Sequence, residues 1–229
     1  MAGSIASRVR RTRKSIARKQ IAYDFNRVFT RNQPYLFPVG THNFVVPVSG
    51  PWRFAVWGGG AGAWNPGLYA GGSGALYSAK RFLERGQIVA LVVGHGGFKG
   101  QNGANSTATF PNGEVITAAG ALGNTGAVAP TANRPEDIVF AGSNGGSGGT
   151  GASGVAGLGD AGGAGGAGAS GTMDGGGGAP GFGSLRGGDG QSGTTGAIGS
   201  GETPAGGGGM DNEQGRPGGH GLIIAYLDE

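Results

Sequence analysis

The sequence predicts a mainly β fold: an N-terminal basic helix, then a small antiparallel β domain with a glycine-rich polyproline-II helix bundle inserted in it. Three observations lead there. Glycine falls at every third position in separate runs: a short one at Gly94, Gly97, Gly100 and Gly103, then Gly142 to Gly157, Gly162 to Gly171, Gly187 to Gly199, and Gly206 to Gly221 with a break at Asn212. Period three suits a polyproline-II helix, which turns once per three residues and lets another backbone approach closely on its glycine side. From Thr41 to about residue 120 the pattern has period two, and the chain closes on the apolar run Leu222-Ile223-Ile224-Ala225-Tyr226-Leu227. Residues 4–31 contain neither glycine nor proline.

Taken in order, residues 4–31 read as helix, with Ser4 placed to cap its start. Ile5, Val9, Thr12 and Ile16 keep helical spacing, and Ile21, Phe25, Val28 and Phe29 continue an apolar stripe. Pro34 and Pro38 end the helix and open a connector, so the basic arm and connector cover 1–40. Residues 44–48 and 52–57 read as strands around a Ser49-Gly50-Pro51 turn, with Gly58-Gly59-Gly60 ending the second. Residues 75–82 and 87–93 read as a pair around Glu84-Arg85-Gly86. Residues 107–110, 115–118 and 138–140 are shorter strands, the first two flanking Asn112-Gly113. A strand at 222–227 needs a partner, and the good ones lie before residue 120. The β region is therefore 41–141 with 222–229, and the glycine rods at 142–221 form an insertion.

Glycine supplies 57 of 229 residues, well outside ordinary globular usage. Collagen requires an unbroken triplet register and far more proline than the 11 present, whereas here the register slips between runs. A flexible glycine-rich linker has no reason to hold a three-residue phase over five turns. Short rods folded back on one another satisfy both facts. With no cysteine, disulfides and Cys-based metal sites are excluded. No run approaches the ~20 apolar residues of a membrane-spanning helix, and the basic N-terminus lacks the apolar stretch of a secretory signal. An acid-poor, Arg-rich leader also has the look of a transit peptide.

Charge is divided unevenly. Residues 1–35 hold nine of the 17 Lys and Arg and one acid, Asp24, for a charge of +8, while the remainder carries −4. The anchoring residues of this arm are Arg8, Arg10, Arg11, Arg13, Lys14, Arg18 and Lys19, with Ile16, Ile21, Phe25 and Phe29 as its apolar side. Three partners suit it: an acidic protein surface, nucleic acid phosphates, or an anionic membrane. The apolar second half favours docking into a protein assembly, and the scarcity of aromatics before Tyr23 weakens base stacking.

The segment FVVPVSGPWRFAVWGGGAGA at 44–63 resembles the opening of the glycine-rich domain family of phage tail-fibre adhesins and bacterial surface proteins. GGSGALYSAKRFLERGQIVALVVGHGG at 71–97 is similar to that family's next segment, and GRPGGHGLIIAYLDE at 215–229 to its terminal strand. The resemblance covers about 41–229 and leaves the basic arm outside. It implies rods packed as a polyproline-II bundle beside a jelly-roll-like β-sandwich. It also implies a viral structural protein: a virion-anchored fibre, spike or tail-tip adhesin that binds the host cell surface. The resemblance also implies one of two copy numbers, a homo-oligomer (trimer), as sandwiches of this kind form, or a single copy, as in fibre-tip relatives, and a bacterial surface or matrix protein is a weaker alternative.

Glycine rods have no side chains to vary, so recognition falls to the residues that interrupt them. The expected receptor-binding tips are Trp64, Tyr69, Met173, Asp174, Phe182, Leu185, Arg186, Glu202, Met210, Asp211, Asn212 and Glu213, facing a host protein or glycan. The bland alternative is that each single apolar residue among them folds back over the scaffold. Enzyme chemistry finds no support. His42, His95 and His220 lack ligand spacing and suit local hydrogen bonds at strand ends. The G-x-G-x-x-G matches lack a strand–helix context, and no phosphate-binding G-x-x-x-x-G-K-[ST] occurs. No catalytic residue, metal site or cofactor is expected.

Overall fold

A computed structural model describes residues 34–63, 70–145, 178, 180, 204–207, 210–211 and 214–228. The chain divides into two units, Met1–Pro34 and Tyr35–Glu229. The helix expected at 4–31 lies outside the described residues, and so does most of 142–221. The second unit is mainly β, and its described residues contain no helix.

Two antiparallel sheets face each other. The first has the order β1-β11-β3-β4-β8, built from β1 (Tyr35–Phe37), β11 (Leu222–Leu227), β3 (Gly50–Trp57), β4 (Leu76–Leu83) and β8 (Ile138–Phe140). The second has the order β2-β5-β6-β7, from β2 (Gly40–Val45), β5 (Ile88–Val93), β6 (Ser106–Thr109) and β7 (Val115–Ala118). A two-stranded ribbon pairs β9 (Met210–Asp211) with β10 (Gln214–Gly215). Alternation drives the packing. Along β5 every second residue is buried, so Val89, Leu91 and Val93 face inward while Ile88, Ala90 and Val92 face out. The shared core adds Phe44, Ala108 and Ile116 from one sheet to Trp52, Phe54, Val56, Tyr77 and Ile223 from the other. Its rings meet edge-on, Phe44 with Trp52 at 5.1 Å and Phe54 with Phe110 at 5.3 Å between centroids, the geometry that the ring quadrupole favours.

The C-terminal strand finds its partners where the sequence demands them. Leu222 to Leu227 pair with Trp57 to Trp52, and Ala225 to Ile223 with Tyr35 to Phe37. Four details differ from expectation. Tyr35–Phe37, read as connector, is a strand at the sheet edge. The first expected strand begins earlier and stops at Val45, before Pro47. Gly50 and Pro51, expected in a turn, lie inside β3, where the backbone at Gly50 passes close to Leu227. The expected pair at 75–82 and 87–93 is split between sheets, since β4 pairs with β3 and β5 with β2. The turn between them crosses the sandwich. It is tied to the neighbouring crossing by Val46 N donating to Gln87 O (2.9 Å) and Gly86 N donating to Val46 O (2.8 Å).

Beyond Trp57 the chain leaves the sheet and its hydrogen bonds change period. Gly58 donates to Ala75 (3.0 Å) and Ala61 to Gly72 (2.9 Å). Gly59 donates to Ala104 (2.8 Å) and Gly62 to Gln101 (3.0 Å). Gly60 donates to Gly219 (2.9 Å) and Ala63 to Arg216 (3.0 Å). Residues three apart on one segment thus meet residues three apart, in reverse order, on each of three neighbours. A pleated strand would send its N–H groups in two alternating directions. Every residue of 58–63 is buried. The array also takes in 94–97, 119–127 and 141–145 through bonds such as Gly97 N to Gly60 O, Ala121 N to Gly59 O and Gly142 N to Ala127 O. The glycine scaffold therefore begins at residue 58, well inside the stretch that the sequence assigns to the β domain. Ser106 pins the junction, its Oγ donating to Trp57 O (2.6 Å) and accepting from Gly94 N (2.9 Å).

Candidate binding surfaces

The strand order gives the second unit two ends. β3, β5, β7, β8 and β10 run into glycine segments, and β4, β6 and β11 run out of them. Among the described residues, the turns at 97–101 and 122–125 that connect glycine segments therefore lie at the end of the array farthest from the sheets. There Ala63 donates to Arg216, Gly100 donates to Ala63 (2.8 Å), and Asn102 Oδ1 accepts from Gly123 N (2.9 Å). Gly145 N reaches Asn124 O at 2.8 Å, which brings the segment after β8 to the same end. Two apolar side chains stand out from these turns: Phe98, 65% exposed, and Leu122, 62% exposed. Leu122 and Thr125 close their own tight turn with paired backbone bonds.

Of the expected tip residues, Met210 and Asp211 form β9, whose ribbon leads directly into 216–221. Trp64, Tyr69, Met173, Asp174, Phe182, Leu185, Arg186, Glu202, Asn212 and Glu213 lie outside the described residues, as do all the arm residues from Arg8 to Phe29. Gly145 packs directly against the Ala70 carbonyl, too close to admit a side chain. Phe98 and Leu122 were missed by the sequence reading. For Phe98 a signal existed, because Phe98-Lys99 are the bulky residues between Gly97 and Gly100 in a triplet run.

A polar cluster occupies the opposite end, beside the sheet crossings. Arg81 on β4 is only 4% exposed. Its Nη1 and Nη2 donate to the two oxygens of Asp137 (2.7 and 2.9 Å), and its Nε to both oxygens of Glu114 (3.1 and 3.0 Å). Asp137 also accepts from Tyr77 Oη (2.8 Å) and Arg134 N (3.1 Å), while Arg134 Nη2 donates to Glu114 at 2.7 Å. The guanidinium packs 5.6 Å above the Phe110 ring. Hydrogen bonds from Arg81 hold the Glu114 carboxyl down at about 2, against the upward push of partial burial. For Asp137, burial alone would raise the carboxyl. Arg81 and Tyr77 outweigh it, leaving the group below its usual range. Burial lifts the Tyr77 phenol to about 12. Beside this cluster opens a cavity of about 210 Å³, lined by Arg81, Phe82, Leu83, Gln87, Phe110, Pro111, Asn112, Glu114 and Arg134.

The histidines meet backbone groups: His42 Nε2 with Pro38 O at 2.7 Å, His95 Nδ1 with Gly96 O at 3.0 Å, and His220 Nδ1 accepting from Gly96 N at 2.9 Å. Among the described residues no group of three or more His, Asp or Glu could hold a metal ion, and no helix is long and apolar enough to cross a membrane. Comparison with known protein families finds no family model that matches this chain, and comparison with curated proteins finds no match either.

Proposed function

We propose that this protein is a virion structural component, a fibre, spike or tail-tip adhesin. Its basic arm anchors it to other virion proteins, and the far end of its glycine array meets a host surface protein or glycan. The observation that carries the proposal is the placing of the turns at 97–101 and 122–125 at one end of the array, on a scaffold whose interior cannot vary. The array is read as a polyproline-II bundle beside a jelly-roll-like sandwich. Supporting this are the three-direction hydrogen bonding of 58–63 and the triplet glycines of 142–221. The exposed Phe98 and Leu122 supply apolar contact area among polar turns, the composition of recognition surfaces. In an adsorption assay on particles carrying the protein, replacing Phe98 and Leu122 together with serine is expected to cut host binding by about tenfold, with particle assembly intact. Unchanged adsorption would remove the adhesin reading.

A homotrimer belongs to the same proposal. The outer face of the β2-β5-β6-β7 sheet presents ten residues, from Thr41, Asn43 and Val45 to Val115 and Thr117, and none is charged. Val45, Ile88, Val92 and Val115 are each about half exposed on it. Around a threefold axis such a neutral face packs against a different patch of the next copy with no like-charge repulsion from its own side. Mass measurement in solution should give three chains, and Ile88→Lys should return one; a wild-type monomer would end this part of the proposal.

The second reading is an internal or capsid-associated virion protein whose arm contacts nucleic acid. It rests on the concentration of +8 in residues 1–35 against −4 elsewhere. DNA or RNA binding that weakens steeply with salt and disappears on truncating residues 1–20 would favour it; indifference to that truncation would eliminate it.

A further inference from the structure

Three Asn-Gly pairs occur in the chain, Asn102-Gly103, Asn112-Gly113 and Asn144-Gly145. An asparagine followed by glycine is chemically labile, because the bare backbone nitrogen of the next residue can reach the carboxamide carbon. That attack requires the glycine N–H and the carboxamide to leave their hydrogen-bond partners together. Two of the pairs are held by other segments of the glycine array. Gly103 N donates to Ala121 O (3.0 Å), while Asn102 Oδ1 accepts from Gly123 N (2.9 Å). Gly145 N donates to Asn124 O (2.8 Å), while Asn144 Oδ1 accepts from Gly126 N (2.8 Å). Both glycines also pack tightly on backbone, Gly103 against Gly59 and Gly145 against Ala70. Freeing either pair means separating segments of the array.

The third pair has only its own turn to leave. Gly113 N donates to Phe110 O (2.9 Å), and Asn112 Oδ1 accepts from Glu114 N (3.0 Å). Pro111, Asn112 and Gly113 are exposed, and nothing lies within 4 Å of a Cβ position on Gly113. Exposed turn bonds of this kind open locally far more often than buried ones. We propose that the fold confines spontaneous deamidation of these pairs to Asn112-Gly113. In the opened turn Gly113 N gives up its proton and bonds to Asn112 Cγ, and the carboxamide nitrogen departs as ammonia. Water then opens the succinimide ring at one of its two carbonyls, leaving aspartate or isoaspartate at position 112. The product puts a carboxylate on the cavity that Glu114 and Arg134 also line. Arg81 and Arg134 are already matched there by Glu114 and Asp137, so the new charge is in excess. The isoaspartate form also lengthens the β6–β7 turn by one backbone carbon. None of this rests on the adhesin reading.

The test follows the full chain in mildly alkaline buffer at physiological temperature, with fragment-ion mass spectrometry reading amide-to-acid conversion at each asparagine. Position 112 should convert at least about tenfold faster than positions 102 and 144, to aspartate and isoaspartate together. In urea above the unfolding midpoint the three rates should converge to within about threefold, since only the fold distinguishes the pairs. Gly113→Ala, at an open turn position, should slow conversion at 112 by about tenfold and leave the other two unchanged. Equal rates at the three positions of the folded chain, or faster conversion at 102 or 144, would overturn the inference. A lead for position 112 that persists undiminished in urea would overturn it equally, because sequence rather than fold would then set the rate. So would a folded chain that keeps Asn112 intact while the unfolded chain converts in full.

Discussion

Replacing Gly60 with alanine is expected to cost more than about 4 kcal/mol of stability, enough to prevent folding in a domain of ordinary margin. The added Cβ would stand 2.2 Å from Gly206 O and 2.5 Å from Ala205 O, both backbone atoms. Neither can rotate aside, so the segments must separate by about an ångström to reach normal contact. Separation breaks bonds that have no alternative partner in the buried array. Gly60 N donates to Gly219 O, Gly60 O accepts from Gly97 N, and Ala205 O accepts from Gly74 N at 3.1 Å. Each buried group left unsatisfied costs about 1–3 kcal/mol. Gly113→Ala provides the contrast. Its φ of +82° is strained for alanine but nothing lies within 4 Å, so the loss should stay near 1 kcal/mol. Urea unfolding of both variants decides between them. If Gly60→Ala unfolds within 1 kcal/mol of Gly113→Ala, the close packing described for this array is incorrect.

The same contrast shows which parts of this architecture can be read from the sequence. Apolar alternation marked β3 and β5, a continuous apolar run marked β11, and Asn112-Gly113 marked the β6–β7 turn, because each signal is confined to a few adjacent residues. Which sheet a strand joins is not such a signal. Alternation tells which residues of β4 and β5 face inward, but both sheets face the same core, so a short turn between them reads equally as hairpin or as crossing. Tyr35-Leu36-Phe37 is too short to show a period and lies between prolines. Six residues, Gly58 to Ala63, show no triplet phase by eye. Their period appears only in the partners, which lie from about 10 to 160 residues away in sequence. The Arg81 cluster was equally hidden, since Glu114 and Asp137 are 33 and 56 residues from it. Single charged residues at such distances carry no spacing to recognise.

That cluster sets the second large expectation, which concerns acid. The Glu114 carboxyl sits at about 2 in the folded protein against an ordinary 4.5, and Asp137 is lowered as well. A depressed carboxyl stabilises the fold in full above its unfolded value, and that contribution drains away as pH falls from about 4.5 through 2. Glu114 alone should account for about 2–3 kcal/mol of this loss. At the alkaline side Tyr77 behaves oppositely. Its folded value of about 12 keeps it neutral while the unfolded phenol ionises from 10 upward, so stability declines again over that interval. Arg81→Met should cost about 3–5 kcal/mol at pH 7, because Asp137 is then buried without its cation and Glu114 keeps only the outer Arg134. At pH 3 the gap between variant and wild type should narrow, since protonated carboxyls no longer need the guanidinium and the wild type has lost part of its gain. Arg134→Met, at a side chain 41% exposed, removes one outer contact and should cost under about 1 kcal/mol at either pH. Urea midpoints at pH 7, 5 and 3 test all three proteins together. An Arg81→Met deficit that stays constant with pH would mean that the arginine acts by filling space rather than by charge.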